Sequence, residues 1–183
     1  MKKRIVIAVL AGTTRPDRLS IHAARYVADF GRKQPGVEII FVDPNDFAFP
    51  NDGNDPDGRD PRYTDITEKA DAFFIVTPEY NHSFPGSLKR MLDTEYDNYY
   101  HKPVALAGAS NGLWGGTRAC EALLSVCRSL GLLITRYTLY FPRVQDIFDE
   151  QGRMRHEYVA KYEKNTQYAY DELLELARAL KEG

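Results

Sequence analysis

The sequence predicts a three-layer α/β/α fold, doubly wound around a five-stranded parallel sheet of strand order 2-1-3-4-5. Three observations carry that prediction. Five short segments are apolar or β-branched almost throughout, the pattern of strands buried on both faces. Segments with helical spacing alternate with them, and right-handed crossovers turn such an alternation into a parallel sheet covered on both sides. Five strands favour this order over the six-stranded dinucleotide fold. The 183 residues fit one domain spanning 1–183, and a hydrophobic content of 43% can fill its core.

Arg4 to Leu10 is the first strand, a continuous β-branched run. A polar segment opened by Gly12 follows, then a helix with Ile21, Ala24, Ala28 and Gly31 on one side. Gln34-Pro35-Gly36 is a turn, and Val37 to Val42 is the second strand. Residues 44 to 62 are dense in Asp, Asn and Pro and read as a loop excursion, not an element. Within it, Asp52 to Gly58 only faintly resembles a calcium loop. Pro56 occupies a ligand position and no glutamate closes the loop, so a solvated loop is the better reading. A short helix, about Tyr63 to Ala70, leads to the third strand at Ala72 to Thr77. After a turn come a helix from Gly86 to Asp93 and a fourth strand from Val104 to Ala109. The clearest helix runs from about Thr117 to Leu130. There Ala119, Ala122, Leu123, Val126, Cys127 and Leu130 keep the spacing of one buried face, and Gly131 supplies the stop. Leu132 to Leu139 is the fifth strand, residues 149–152 form a turn, and a final helix runs from about 157 to 181. Its stripe of Tyr162, Ala169, Leu173, Leu176 and Leu180 suits packing on the chain's own sheet.

The bulk numbers exclude several classes. A formal charge of −2 gives no positive field for nucleic acid or anionic membrane, and no apolar run approaches a membrane span. Lys2-Lys3-Arg4 reads as the solvated start of a strand, because no small-residue cleavage site follows the apolar run. Cys120 and Cys127 lie seven apart on one helix and suit core packing in a reducing cytoplasm. His22, His82, His101 and His156 have no metal-ligand spacing, and no Ser-His-Asp arrangement emerges.

In a doubly wound sheet the ligand sits outside the carboxyl ends of the strands, near the point where strand order reverses. Here that means the loops after strands one, three and four. The first, Gly12 to Ser20, gathers hydroxyls, guanidinium groups and the free amides of a helix start, as a phosphate requires. It contains neither GxGxxG nor GxxxxGK[ST]. The same residues would equally serve a plain helix start with Asp17 or Ser20 as N-cap. The second loop runs from Thr77 to Arg90. Its two prolines and a glycine stiffen a backbone able to read the edge of a planar ring, and Tyr80 and Phe84 offer apolar faces. In the third, Ser110 to Thr117, glycines permit close backbone approach to a ligand.

Together these loops resemble the NAD(P)H-dependent FMN reductase family, whose members include azoreductase-like, chromate-reducing and quinone-reducing enzymes of flavodoxin-like fold. The resemblance runs from the first strand to about Phe148. Pro78-Glu79-Tyr80-Asn81, followed by Ser83, Pro85-Gly86, Leu88-Lys89 and Asp93, matches the family's flavin-ring motif almost letter for letter. The first loop is similar to the family's Gly-Ser-x-Arg phosphate loop, with Thr13 in place of the usual serine, and Gly115-Gly116 matches the pattern after the fourth strand. One departure stands out. Ser20 follows Arg15 by five positions where about three is usual, and Arg18 lies between them, so either Arg18 or Ser20 can close the loop on the phosphate.

The resemblance implies FMN as cofactor and NADPH or NADH as hydride donor. It places the phosphate on Thr13, Arg15, Arg18 or Ser20, and Ile21. The ring edge would run along Pro78, Glu79, Tyr80 and Asn81, with Ser110 and Gly112 bordering the ring. No side chain need act as acid or base, since solvent can protonate the products. A quinone, an azo compound or free flavin would accept the electrons. The alternative is a flavin-binding, redox-sensing interaction protein with incidental reductase activity. The family resemblance also implies a homodimer or homotetramer, and Tyr96, Tyr99 and Tyr100 mark a candidate contact surface.

Overall fold

Five parallel strands form the sheet: β1 (Ile5–Ala11), β2 (Val37–Val42), β3 (Ala72–Pro78), β4 (Pro103–Ser110) and β5 (Leu133–Pro142). Their order is β2-β1-β3-β4-β5, as the strand pattern predicts. The computed structural model describes residues 4–50 and 58–182. The helices are α1 (Ser20–Arg32), α2 (Pro61–Lys69), α3 (Gly86–Asp93), α4 (Thr117–Ser129), α5 (Val144–Ile147) and α6 (His156–Glu182).

Side chains alternate across a strand, so each buried strand feeds two cores. Ile5, Ile7 and Val9 face α1 and α6, together with Phe74, Val76 and Phe141. Ala8 and Leu10 face the other way, where α2, α3 and α4 pack over Phe73, Ile75, Val104 and Leu106. In α6 the stripe residues Tyr162, Ala169 and Leu173 are buried on the sheet, whereas Leu180 is exposed. Tyr162 stacks on Phe141 with centroids 4.8 Å apart, and the Tyr170 hydroxyl donates to the Val27 carbonyl at 2.8 Å. At the far end of α6, Lys181 Nζ donates to the Arg4 carbonyl at 2.8 Å and to Asp71 at 2.6 Å.

Gly131 stops α4 as predicted. At φ +73° it forms a complete Schellman turn, with Leu132 N–H bonded to the Cys127 carbonyl at 3.0 Å and Gly131 N–H to the Arg128 carbonyl at 3.1 Å. Cys120 and Cys127 are free and buried on this helix, and burial pushes both thiols up to about 12.

Three sequence-based expectations need correction. Residues 44 to 62 are not all loop: Pro44–Asp46 make a 3-10 turn, and α2 already begins at Pro61. Asp60 is the reason. Its carboxylate caps Arg62 N–H at 3.0 Å and also accepts from Ala48 N–H at 3.0 Å, drawing the chain back onto α2. Hydrogen bonds from the Arg62 side chain, outweighing the penalty of burial, hold its carboxyl down at about 2. Phe47 and Phe49 then pack edge-on against Tyr63. The faint calcium-like stretch at 52–57 lies outside the described residues. Next, β5 continues through Tyr140 and Phe141 to Pro142 rather than ending at Leu139, and the short helix α5 follows. Finally, Tyr99 is not a surface residue. It is fully buried on the α2 side, and its hydroxyl meets that of Tyr63 at 2.7 Å. Only Tyr96 and Tyr100 of that trio are exposed.

Candidate functional site

Strand order reverses between β1 and β3, and the loops leaving β1, β3 and β4 converge there. Two backbone bonds carry the ladder past the strands: Gly12 N–H to the Val76 carbonyl at 2.8 Å and Glu79 N–H to the Ala109 carbonyl at 3.1 Å. Between the loops lies a cleft of ≈ 580 Å³. Seven residues expected from the sequence line it: Arg15, Arg18, Ser20, Pro78, Glu79, Tyr80 and Ser110. Thr13 sits behind Tyr80, while Ile21, Asn81 and Gly112 are not part of the lining.

The first loop is wired from inside. Thr13 is buried, its hydroxyl lies 3.0 Å from the Tyr80 hydroxyl, and it accepts from Arg15 N–H at 3.2 Å. The exposed Arg15 guanidinium lies 5.8 Å from the Tyr80 ring centroid and has no carboxylate partner among the described residues. Leu19, not Asp17 or Ser20, occupies the N-cap of α1, and no side chain caps that helix start. Asp17 instead takes a left-handed turn at φ +53°. The first turn of α1 carries no acidic residue, so nothing within the helix offsets its positive end, while Asp17 just before it lines the same cleft. Ser20 is the first helical residue. The Ile21 side chain belongs to the core and its N–H donates to the Arg18 carbonyl at 3.3 Å.

Arg18 is differently placed. Its guanidinium is paired with Asp43 at the end of β2, and Nη1 also reaches the Arg15 carbonyl at 3.4 Å. That positive charge is therefore largely spent within the protein, leaving Ser20 as the group nearer a helix start without a side-chain cap. Asp43 was not singled out from sequence; its position at the end of the second strand, before Pro44, was the available signal.

Glu79 also turns inward. Its carboxylate accepts from Arg118 N–H at 3.3 Å and from Arg118 Nη1 at 3.2 Å. The N-cap of α4 is Gly116, in the left-handed region at φ +83°, with no side chain of its own to cap the helix. A Cβ on Gly116 would lie 2.5 Å from Ala109 N, so the glycine is required there. Glu79 thus supplies, from another loop, the cap that Gly116 lacks.

Beyond Glu79 the chain makes a two-residue hairpin. Tyr80 and Ser83 exchange both backbone bonds, at 2.8 and 3.0 Å, around Asn81 and His82, whose φ values of +49° and +66° suit a type I′ turn. Both tip residues are exposed. In the third loop the Gly112 carbonyl accepts from Ser110 Oγ at 3.2 Å and from Arg143 N–H at 3.0 Å. Asn111 and Val144 complete that wall of the cleft and were not anticipated. Val144 could not have been, because α5 carried no periodic signal. Leu113 and Trp114 are exposed beside it, with Arg118 5.6 Å from the Trp114 ring centroid.

The residues fit a flavin mononucleotide. A terminal phosphate monoester calls for positive charge, which the Arg15 guanidinium and the N-terminal end of α1 provide. A planar ring calls for rigid backbone along one edge, which the Pro78–Tyr80 segment, tied to Ala109 and to its own hairpin, provides. The cleft volume lies within the roughly 300–1,000 Å³ usual for small-molecule sites.

Comparison with known proteins points the same way. Residues 5–146 match the NADPH-dependent FMN reductase family. An NAD(P)H-dependent FMN reductase of Pseudomonas aeruginosa is 30% identical over 166 residues, covering 84% of this chain and 86% of that protein. A quinone reductase of Pseudomonas putida is 29% identical over 157 residues, covering 81% and 83%. Among solved structures, the flavoenzyme NAD(P)H:acceptor oxidoreductase FerB of Paracoccus denitrificans superposes with a TM-score of 0.76 at 24% identity, covering 93% of this chain and 98% of that one, and so shares its fold.

Proposed function

The chain belongs to the NADPH-dependent FMN reductase family, and on that premise we propose that it acts as one FMN-binding domain, passing electrons from NADPH or NADH to a quinone or azo acceptor. The observation that carries this reading is the cleft at the switch point, where Arg15, with no carboxylate partner among the described residues, and a helix start without a side-chain cap face a stiff backbone edge. FMN, when bound, supplies the two-electron chemistry between nicotinamide and acceptor.

The protein's own part is binding and orientation. Arg15 and Ser20, at the positive end of α1, hold the phosphate. Thr13 acts through Tyr80, keeping its ring upright, and Arg18 acts through Asp43, fixing the loop's path. Pro78, Tyr80 and Ser110 border the ring, while Glu79 holds the loop to α4. The quinone reductase relative supports a quinone as acceptor. We further place the chain in the cytoplasm as a homodimer or homotetramer, with the exposed Tyr96 and Tyr100 as contact candidates. Among the described residues no helix is long and apolar enough to cross a membrane.

The test is spectroscopic. Purified protein should show a flavin band on addition of FMN. Anaerobic NADPH or NADH should bleach it, and a quinone should restore it. Reduction by dithionite but by neither nicotinamide would refute the reductase reading and favour redox sensing through a partner.

A further inference from the structure

Asn111 is followed by Gly112, and no other asparagine in the chain precedes a glycine. We propose that this pair is a site of spontaneous deamidation, which places a new carboxylate in the wall of the cleft and weakens FMN binding as the protein ages. The covalent step stands on the loop's own geometry, and its effect on FMN rests on the flavin reading above. The nucleophile is the Gly112 backbone nitrogen. Its N–H meets no acceptor among the described residues, although the Gly112 carbonyl is held by Ser110 Oγ at 3.2 Å and Arg143 N–H at 3.0 Å. The electrophile is the Asn111 side-chain amide, which likewise has no hydrogen-bond partner among the described residues. Both residues are exposed and lie in neither helix nor strand. Gly112 has no Cβ to obstruct their approach. Gln145 Nε2 donates to the Asn111 carbonyl at 3.3 Å, drawing electrons from the peptide unit whose nitrogen must lose its proton. Asn98, by contrast, is tied by its side-chain amide to Thr67 at 3.0 Å and Glu95 at 3.1 Å, and Asn165 sits within α6.

The step balances without oxidant or reductant. The Gly112 nitrogen bonds to Asn111 Cγ, the Cγ–Nδ2 bond breaks, and the nitrogen's proton leaves with the amide nitrogen as ammonia. Water then opens the cyclic imide on either side of its nitrogen, giving aspartate or, with the backbone rerouted through the side chain, isoaspartate. Asn111 lines the same cleft as Arg15 and Ser20, where Asp17 and Glu79 already contribute carboxylates. A further negative charge there opposes a phosphate dianion.

The test incubates the full-length protein in mildly alkaline buffer and follows it by intact mass, peptide mapping and FMN titration. The mass gain of amide-to-acid conversion should appear first in the peptide containing Asn111, with isoaspartate detectable there by methyltransferase labelling. Gly112→Ala should suppress it. A Cβ at that position meets nothing nearer than Ser110 Oγ at 4.0 Å, so the loop keeps its shape while the nitrogen's approach is obstructed. Gln145→Ala should slow the conversion. Asn111→Asp, which installs the charge directly, should bind FMN about threefold more weakly, and added salt should shrink the difference. No conversion at Asn111, or conversion equally fast in Gly112→Ala, would overturn the site. Unchanged FMN affinity in both the aged protein and Asn111→Asp would overturn its consequence. Failure of fresh wild-type protein to bind FMN would instead refute the flavin reading, and the mass measurement would still decide the covalent step.

Discussion

Replacing Glu79 by alanine removes two interactions from one place. Its carboxylate caps the α4 start at Arg118 N–H, 3.3 Å away, and pairs with the Arg118 guanidinium at 3.2 Å. A lost N-cap costs about 1 kcal/mol. The ion pair adds only about 0.5 kcal/mol, because the Arg118 side chain is 42% exposed and solvent screens it. Glu79→Ala should therefore destabilise the protein by about 1.5 kcal/mol. Glu79→Gln retains an oxygen for the amide and loses the charge, so about 0.5 kcal/mol is expected; Arg118→Ala, which leaves the cap intact, should cost a similar amount. Urea unfolding of the flavin-free protein reads these differences as shifts in midpoint at constant slope. FMN titration then reports the knock-on effect, since the cap fixes a loop that lines the cleft. If Glu79→Gln and Glu79→Ala impair FMN binding equally while neither moves the urea midpoint, the carboxylate is a direct flavin ligand and the capping argument is refuted.

Other expectations follow from the same geometry. Arg15→Ala should weaken FMN about tenfold, the lower end of the charge-assisted range because the side chain is exposed, and an unchanged fluorescence titration would remove Arg15 from the phosphate site. The Asp60 carboxyl is held at about 2 against an ordinary 3.8, so its contribution to stability is complete above about pH 4 and fades as pH falls toward 2. The stability gap between wild type and Asp60→Ala should accordingly narrow across that interval, and a constant gap would show that the cap does not depend on charge. Tyr63→Phe or Tyr99→Phe alone strands a buried hydroxyl at a cost of about 1–3 kcal/mol. The double phenylalanine variant should lie well short of the sum of the singles, and strict additivity in thermal unfolding would contradict a coupled pair.

Much of this was legible in the sequence because strands buried on both faces and helices with one buried face leave strong periodic signatures. β2 and α3 match their predicted bounds, and the three loops that form the cleft are those whose composition departs from ordinary connections. What stayed hidden depends on partners distant in sequence. Nothing near Arg18 says that Asp43 will consume its charge, and nothing near Glu79 says that its carboxylate will serve a helix that starts 38 residues later. Tyr99 looked like surface because Tyr96 and Tyr100 are, yet its register on the chain directs it toward Tyr63. Short elements also escaped, since four residues of α5 cannot establish a period.

The cleft draws its walls from loops after β1, β3 and β4, so it exists only when all three strands lie side by side. An unfolded chain offers no such convergence, and the cofactor therefore recognises the native state alone. At a free FMN concentration a hundred times Kd, that selectivity raises resistance to unfolding by about 2.7 kcal/mol. Flavin supply should therefore affect how long the protein survives as well as whether it works. A cell starved of riboflavin should lose the apoprotein to proteolysis faster than it loses proteins whose folding needs no ligand, with no change in transcription.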